Sequence, residues 1–386
     1  MISKFFSKKF ISQLGNLEYG SLKLKTPDGK EYSFFGDKNG IEANLNIYNW
    51  NVIINVFLKG DDGFLKSYMY GHWNTKDLPN LLIFILENKN TFNNVIFGSR
   101  LFRYLNKINY IFKENTIKGS KKNISQHYDL GNNFYSLWLD SSMTYSAALF
   151  KFEKESLEYA QNNKHDRILD CLKKNSGSLL DIGCGWGGFL NRAYERGNFN
   201  LNGITLSEEQ YKYNLDILKN KANINLSDYR NQSGKFDHIV SIEMFEAVGA
   251  KYWKTFFNKV YCLLKENGRA VVQTIVINDE GFLKYSEGGD FLRTHIFPGG
   301  MLTSSSRFRK DALDSGFKII DTYYFGNDYA KTLKIWLETF DKKVLLIKDQ
   351  GFDEEFIKLW RFYLSACIAG FKTYRINVMQ VVLANA

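Results

Sequence analysis

The stretch Leu179-Leu-Asp-Ile-Gly-Cys-Gly-Trp-Gly-Gly-Phe189 places glycines at 183, 185, 187 and 188 directly after an apolar run and an acid. A strand that ends in such a turn lets the backbone press against a bound cofactor, because no Cβ stands in the way. Turns of this kind most often serve dinucleotides or phosphates, but the accompanying marks are missing here. A nicotinamide site puts Asp or Glu at the tip of the second strand to hold ribose hydroxyls. In this chain the second strand-like run, residues 201–206, offers Thr205 at its end and Ser207 after it. A phosphate loop continues into Gly-Lys-Ser/Thr, and none follows Gly188. The acid stands before the glycines instead. Asp181 there can bear on a cationic ligand, directly or through water, or it can simply order the turn.

From about residue 123 strand-like runs (178–182, 201–206, 224–228, 236–242 and 269–276) alternate with helix-length segments at 187–195, 207–220 and 252–265. That alternation argues an α/β, Rossmann-like architecture: a doubly wound, mostly parallel sheet with helices on both faces. Ligands bind such sheets beyond the carboxyl ends of the strands, where the glycine turn, Thr205 and residues 243–246 all fall. S-Adenosylmethionine, with an ammonium, a sulfonium and no phosphate, suits an acid before glycines. Thr205 and Gln210 can hydrogen-bond its ribose and amino-acid groups, and Asp228 and Tyr229 can bond to and stack on its adenine.

The remainder of the 386 residues sets bounds. The chain is long enough for two domains. It is 44% hydrophobic and 16% aromatic, with 32 Phe and 23 Tyr, a content that suits apolar pockets although aromatic residues chiefly fill cores. No apolar run reaches the length of a membrane span, and residues 1–10 lack the apolar core of a secretory signal. The formal charge of +10 fits nucleic acid or anionic lipid, but no nucleic-acid module is visible. Cys171, Cys184, Cys262 and Cys367 have no metal-ligand spacing and read as reduced thiols of a cytosolic protein. In the N-terminal third, Leu22-Lys-Leu-Lys, Thr26-Pro-Asp-Gly29 and Glu31-Tyr-Ser-Phe-Phe35 read as a hairpin. Alternation at residues 51–57 suggests a further strand, and residues 78–87 read as a helix. The Lys-rich residues 113–123 read as a linker, a solvated face or a loop near lipid headgroups.

Several blocks accumulate in order: Gln126-His-Tyr-Asp-Leu-Gly-Asn-Asn-Phe-Tyr-Ser-Leu-Trp-Leu-Asp140, Met143-Thr-Tyr-Ser146, the glycine turn, Gly203-Ile-Thr-Leu-Ser207 with Gln210, Ser241-Ile-Glu-Met-Phe-Glu-Ala-Val-Gly249, Ile296-Phe-Pro-Gly-Gly-Met-Leu302, Phe325-Gly-Asn-Asp-Tyr329 and Tyr363-Leu-Ser-Ala-Cys367. Together they resemble the cyclopropane-fatty-acyl-phospholipid synthase family, which includes the mycolic acid cyclopropane synthases. The N-terminal third looks like the extra domain of the bacterial phospholipid enzymes, notably Ser67-Tyr-Met-Tyr-Gly-His-Trp73. The resemblance implies a class I S-adenosylmethionine-dependent methyltransferase at residues 123–386, a smaller α+β N-terminal domain at 1–112 with a linker at 113–122, and a dimer. It carries cofactor contacts to Tyr145, Ser146, Asp181, Gly183, Cys184, Gly185, Gly187, Thr205, Leu206, Gln210, Asp228 and Tyr229.

The reaction implied is transfer of a one-carbon unit to the double bond of an unsaturated acyl chain in membrane phospholipid. The alkene attacks the sulfonium methyl and leaves a carbocation, and a base then removes a proton to give a cyclopropane or a methylene branch. The pocket must exclude water, and aromatic faces can stabilise the cation by about 1–2 kcal/mol each when desolvated. In the family the base is thought to be bound bicarbonate, held by a Cys, a Glu, a His, a backbone amide and a Tyr. Glu246, Ile275 and Tyr329 match that set; Ala147 stands at the Cys position and Gln273 at the His position. Either the remodelled site still holds bicarbonate or another small base, or the cation is quenched differently, or the acceptor is not an alkene. Cys367 matches a cysteine once assigned as catalytic and reads here as pocket lining.

Residues 278–306, with two glycine pairs, read as a long functional loop, part of an acyl channel or its lid. Tyr329, Leu333, Trp336 and Phe340, and again Phe356, Leu359, Trp360 and Tyr363, recur at helical spacing, as a core or an acyl tunnel would. The basic surplus fits peripheral docking on the inner, anionic face of a membrane. A small-molecule C- or N-methyltransferase and a catalytically weakened lipid-binding protein are the alternatives.

Overall fold

The computed structural model describes residues 2–92, 115–116, 119–120, 123, 130–288 and 290–385, with side chains from residue 7 onward. Residues 126–129, which open the first of the resemblance blocks, and most of the expected linker lie outside that set. The chain divides into two compact units. One comprises Met1–Phe112, Lys284–Ile296 and Asp341–Arg375; the other comprises Lys113–Leu283, Phe297–Phe340 and Ile376–Ala386.

In the first unit, strands β1 (Tyr19–Lys25), β2 (Glu31–Phe35), β3 (Lys38–Ile47) and β4 (Trp73–Asn74) form a sheet in the order β2-β1-β3-β4. The β1–β2 hairpin appears where the Thr26-Pro-Asp-Gly29 turn places it: the Gly29 amide donates to the Thr26 carbonyl at 2.9 Å. Residues 51–57 differ from the sequence expectation, for they open the helix Asn51–Met69. Val52 and Val56 are both buried, and residues four apart share one face of a helix, whereas period-two alternation lines a strand. Gly60, at φ 59°, kinks that helix. The helix Leu78–Glu87 begins on Asp77, whose carboxylate accepts from the Asn80 amide at 2.9 Å.

A second difference concerns residues beyond 123. The sequence groups 123–386 as one catalytic domain, but the helix Glu354–Lys372 packs on Leu78–Glu87 and Asn51–Met69. Its buried apolar face is matched there, so it joins the first unit. Residues 278–306 are likewise no structureless loop. They hold the helix Asp279–Glu287, a helical turn at Leu292–Ile296 and the short strand Thr303–Ser304.

The second unit is built on a mixed sheet. Strands β5 (Ser176–Ile182), β6 (Asn198–Thr205), β7 (Ala222–Leu226), β8 (Phe236–Ile242) and β9 (Leu264–Ile277) run parallel in the order β7-β6-β5-β8-β9. The edge strand β10 (Thr303–Ser304) also pairs with β9. β12 (Ile376–Asn385) lies antiparallel to β9, and β11 (Phe317–Tyr324) antiparallel to β12. The order reverses on either side of β5, which opens a crevice beyond the carboxyl ends of β5, β6 and β8. Leu179, Leu201, Val240 and Val271 pack between sheet and helices as one core cluster. The helices Gly188–Arg196, Glu208–Leu218 and Trp253–Leu263 stand within a few residues of their sequence-derived bounds.

Past the end of β8 the chain turns back over Phe245, which is fully buried with its ring 5.1–5.8 Å from those of Trp253, Phe256, Phe257 and Phe308. Truncating a core Phe removes its transfer free energy and leaves a cavity. Phe245→Ala is therefore expected to destabilise the protein by about 3–5 kcal/mol, measured as a lower urea midpoint; an unchanged midpoint would show that the cluster does not support this turn.

Candidate active site

At the head of β5 the amides of Gly183 and Cys184 both donate to the Ile204 carbonyl, at 2.9 and 3.0 Å. The turn is thereby held against β6. Gly183 has φ 81°, and a Cβ there would stand 2.7 Å from the Met244 side chain. Gly185 has φ 54°, and nothing lies within 4 Å of where its Cβ would be; that space is the cleft.

The cleft encloses about 950 Å³, its open mouth included. Tyr145, Ser146, Asp181, Gly183, Cys184 and Gly185 line it on the β5 side, and Thr205, Leu206, Gln210 and Tyr229 beyond β6 and β7. Gly187 and Asp228 do not line it. Gly187 caps the helix Gly188–Arg196. The Asp228 carboxylate accepts instead from the Arg230 guanidinium, at 2.6 and 2.8 Å, so it shapes the strand tip and leaves the cleft to Tyr229. Thr205 Oγ1 donates to Gln210 Oε1 at 2.8 Å, and Ser207 caps the helix that carries Gln210.

The cleft holds features that fit S-adenosylmethionine. Asp181 is buried, its Oδ1 has no partner among the described residues, and burial pushes its carboxyl up to about 7. A cation at that point would restore the charged form. The Tyr229 hydroxyl is buried without a partner among the described residues as well. Lys164, on the helix Leu157–Asp170, is completely buried and donates to Ser146 Oγ at 2.6 Å. Burial brings its ammonium down to about 8, against the pull of Glu243, Asp140 and Asp181. Sequence reasoning missed Lys164, because nothing in a lysine's neighbours along a helix marks it as buried.

The second cluster centres on Glu243, whose carboxylate accepts from the Ala147 amide at 2.9 Å, from Gln273 Nε2 at 2.7 Å and from the Tyr329 hydroxyl at 2.6 Å. Gln273 is held in that sense by a relay. Arg167 donates to Gln380 Oε1 at 2.8 Å, and Gln380 Nε2 donates to Gln273 Oε1 at 2.9 Å. With its oxygen occupied, the Gln273 amide presents its NH₂ to Glu243. Glu246 meets only one member of the expected set: its Oε1 accepts from the Ile275 amide, and its Oε2 is buried without a partner among the described residues. Ala147, Gln273 and Tyr329 thus converge as the sequence leads one to expect, but on Glu243. That residue was legible only as an acid at the carboxyl end of a strand beside the switch point.

Burial pushes both carboxyls upward; for Glu246 the Glu243 charge adds to it, and for Glu243 the donors from Tyr329 and Ala147 oppose it. Three donors meet Glu243 and one meets Glu246, an arrangement that favours the charged form on Glu243. Its backbone lies at φ 52°, a left-handed conformation that costs a non-glycine residue roughly 1–3 kcal/mol and clusters at functional sites. Beside it Tyr145 and Trp336 stand 5.4 Å apart by ring centroid, with Trp138 5.5 Å from Tyr145 and Tyr329 6.2 Å from Trp336. Cys367 belongs to the first unit, on the helix Glu354–Lys372, where burial and the Asp290 charge push its thiol up to about 12. It is no thiolate nucleophile.

A crevice at the switch point, a glycine turn with an acid before it and a buried carboxyl oxygen without a partner among the described residues define a class I S-adenosylmethionine-dependent methyltransferase. Residues 115–381 match the family model described as mycolic acid cyclopropane synthetase, and the chain belongs to that family. It is 34% identical over 355 residues to the cyclopropane-fatty-acyl-phospholipid synthase of Escherichia coli, covering 89% of this chain and 88% of the relative. It is 32% identical to the tuberculostearic acid methyltransferase UfaA1 of Mycobacterium tuberculosis, covering 82% and 77%. Among solved structures, mycolic acid cyclopropane synthase CmaA1 complexed with SAH and CTAB is similar at TM-score 0.65 and 30% identity, covering 68% of this chain and 97% of that one.

With its carboxyl near 7, Asp181 ionises as pH rises from 6 to 8, so affinity for a cationic ligand should rise over that window. Removing a hydrogen bond to a charged group costs about 1.5–3 kcal/mol. Asp181→Asn should weaken S-adenosylmethionine binding by roughly ten- to a hundredfold and flatten the pH dependence in calorimetry; unchanged affinity would take Asp181 out of the site.

Proposed function

We propose that this chain transfers a one-carbon unit to the double bond of an unsaturated fatty acyl chain carried by membrane phospholipid, giving a cyclopropane or a methyl- or methylene-branched chain. The observation that carries the reading is the buried Glu243–Gln273–Tyr329 cluster, an acid–base centre that opens on the cofactor cleft and is walled by aromatic rings. An amine or hydroxyl acceptor needs no such water-poor centre; a carbocation does, since water would trap it. The names of the relatives, a cyclopropane-fatty-acyl-phospholipid synthase and a tuberculostearic acid methyltransferase, support acyl chains as the substrate class.

S-Adenosylmethionine supplies an electrophilic methyl group. Asp181 and Lys164 set the charge balance around it, the Gly183–Gly185 backbone gives it room, and Thr205, Gln210 and Tyr229 offer hydrogen bonds and a ring face. Tyr145, which lines the cleft, offers a π face to positive charge on the acyl chain, backed by Trp336. The test is incubation of the pure protein with labelled cofactor and vesicles of unsaturated phospholipid. A gain of one CH₂ unit in the acyl chain is expected, with NMR separating ring from branch. No lipid product alongside methylation of an amine would replace the reading with a small-molecule methyltransferase.

The charge of +10 supports peripheral attachment to anionic lipid, to which each well-placed Lys or Arg adds about 1 kcal/mol. No helix among the described residues is long and apolar enough to cross a membrane. Flotation with anionic vesicles should carry the protein upward at low salt and release it at high salt; absence of binding at low salt would remove the membrane from the proposal.

A further inference from the structure

We propose that the Glu243 carboxylate is itself the proton acceptor of the reaction, built into the chain at the place where the resemblance puts a bound bicarbonate. The inference rests on the one-carbon transfer just proposed.

The donors settle who occupies that place. The groups expected around bicarbonate are residue 147, Gln273, the Ile275 amide and Tyr329, and each already donates to a carboxyl of the chain. The Ala147 amide, Gln273 Nε2 and the Tyr329 hydroxyl donate to Glu243, and the Ile275 amide donates to Glu246. A bicarbonate would have to break these bonds and then sit against two buried acids, with neither a thiol at 147 nor a cationic side chain at 273 to favour it. A carboxylate and a bicarbonate present the same planar pair of anionic oxygens, so the same donors serve either. The substitutions at Ala147 and Gln273, unexplained in the sequence, follow. Glu243 fills the space and brings the charge, so a neutral donor at 273 suffices. The left-handed backbone of Glu243 marks a position where glycine would be at ease, and there the chain carries an acid.

A carboxylate has about four acceptor sites. Oε1 takes two hydrogen bonds and Oε2 takes one, which leaves a lone pair on Oε2. When the methylated acyl cation loses a proton from the new methyl group, the C–H electron pair closes the third side of the ring and the proton bonds to that oxygen. The resulting neutral acid passes it to water after product leaves. Tyr329 and Gln273 are positioning residues for this step.

The experiment uses the full chain and ¹³C-bicarbonate. Wild type should turn over equally in carbonate-free buffer and in added bicarbonate, and should cause no specific broadening of the bicarbonate NMR line. Glu243→Gln should lose turnover by about 10²–10⁴-fold while S-adenosylhomocysteine binding, which also reports folding, stays within about twofold of wild type. Glu243→Gly, relieved of the backbone conflict, should acquire bicarbonate binding by NMR. Bicarbonate dependence of the wild type, full turnover of Glu243→Gln, or no gain of binding in Glu243→Gly each overturns the assignment. If wild type yields no lipid product at all, the functional reading falls. The bicarbonate titrations still judge separately whether Glu243 holds that pocket.

Discussion

A carboxylate buried away from water has to be met by donors, and in the catalytic unit that requirement falls on Glu243. Its three partners come from three separate places in the chain: the segment after Tyr145-Ser146, the strand β9 and the helix Gly326–Lys342. An uncompensated charge there would cost several kcal/mol. Each of the three segments is therefore tied to the carboxyl end of β8, and the cofactor cleft and the Glu243 cluster are built on one anchor. The left-handed backbone at Glu243 is tolerated because these contacts over-determine it.

The charges around that anchor are arranged in a chain. Lys164 is a buried cation that faces Glu243, Asp140 and Asp181, and it donates from within the core to Ser146 Oγ. Arg167, one turn further along the same helix, orients Gln380 and through it Gln273. One helix thus serves both clusters, the cleft through Lys164 and the Glu243 cluster through Arg167. Because low local dielectric strengthens such bonds and penalises any left unmade, the network is a unit whose members cannot be judged one at a time.

Much of this was legible along the chain. The run into Asp181, the spacing of the glycines and the polar tip at Thr205 are local features, and hydrophobic periodicity reports them directly. So do the helices that follow each strand. Residues 51–57 were misread because a short apolar run suits strand and helix alike until its burial is known. The helix Glu354–Lys372 packs with the first unit, which the sequence did not show because an apolar stripe says that a face is buried, not against what. Asp228 was placed in the site by its position at a strand tip, yet Arg230 two residues on claims its carboxylate.

The sequence alone determined the architecture and the cofactor, since both rest on periodicity and on residues that are neighbours in the chain. Through the family resemblance it also singled out Ala147, Gln273 and Tyr329 as groups that meet. What only the tertiary structure decided is which carboxyl they meet. Glu243 and Glu246 are three residues apart and alike in chemistry, and the choice between them depends on backbone direction at the end of β8 and on donors 30 to 100 residues distant. Hydrogen-bond geometry across such separations leaves no trace in local sequence, and neither does the burial that makes Lys164 part of the site.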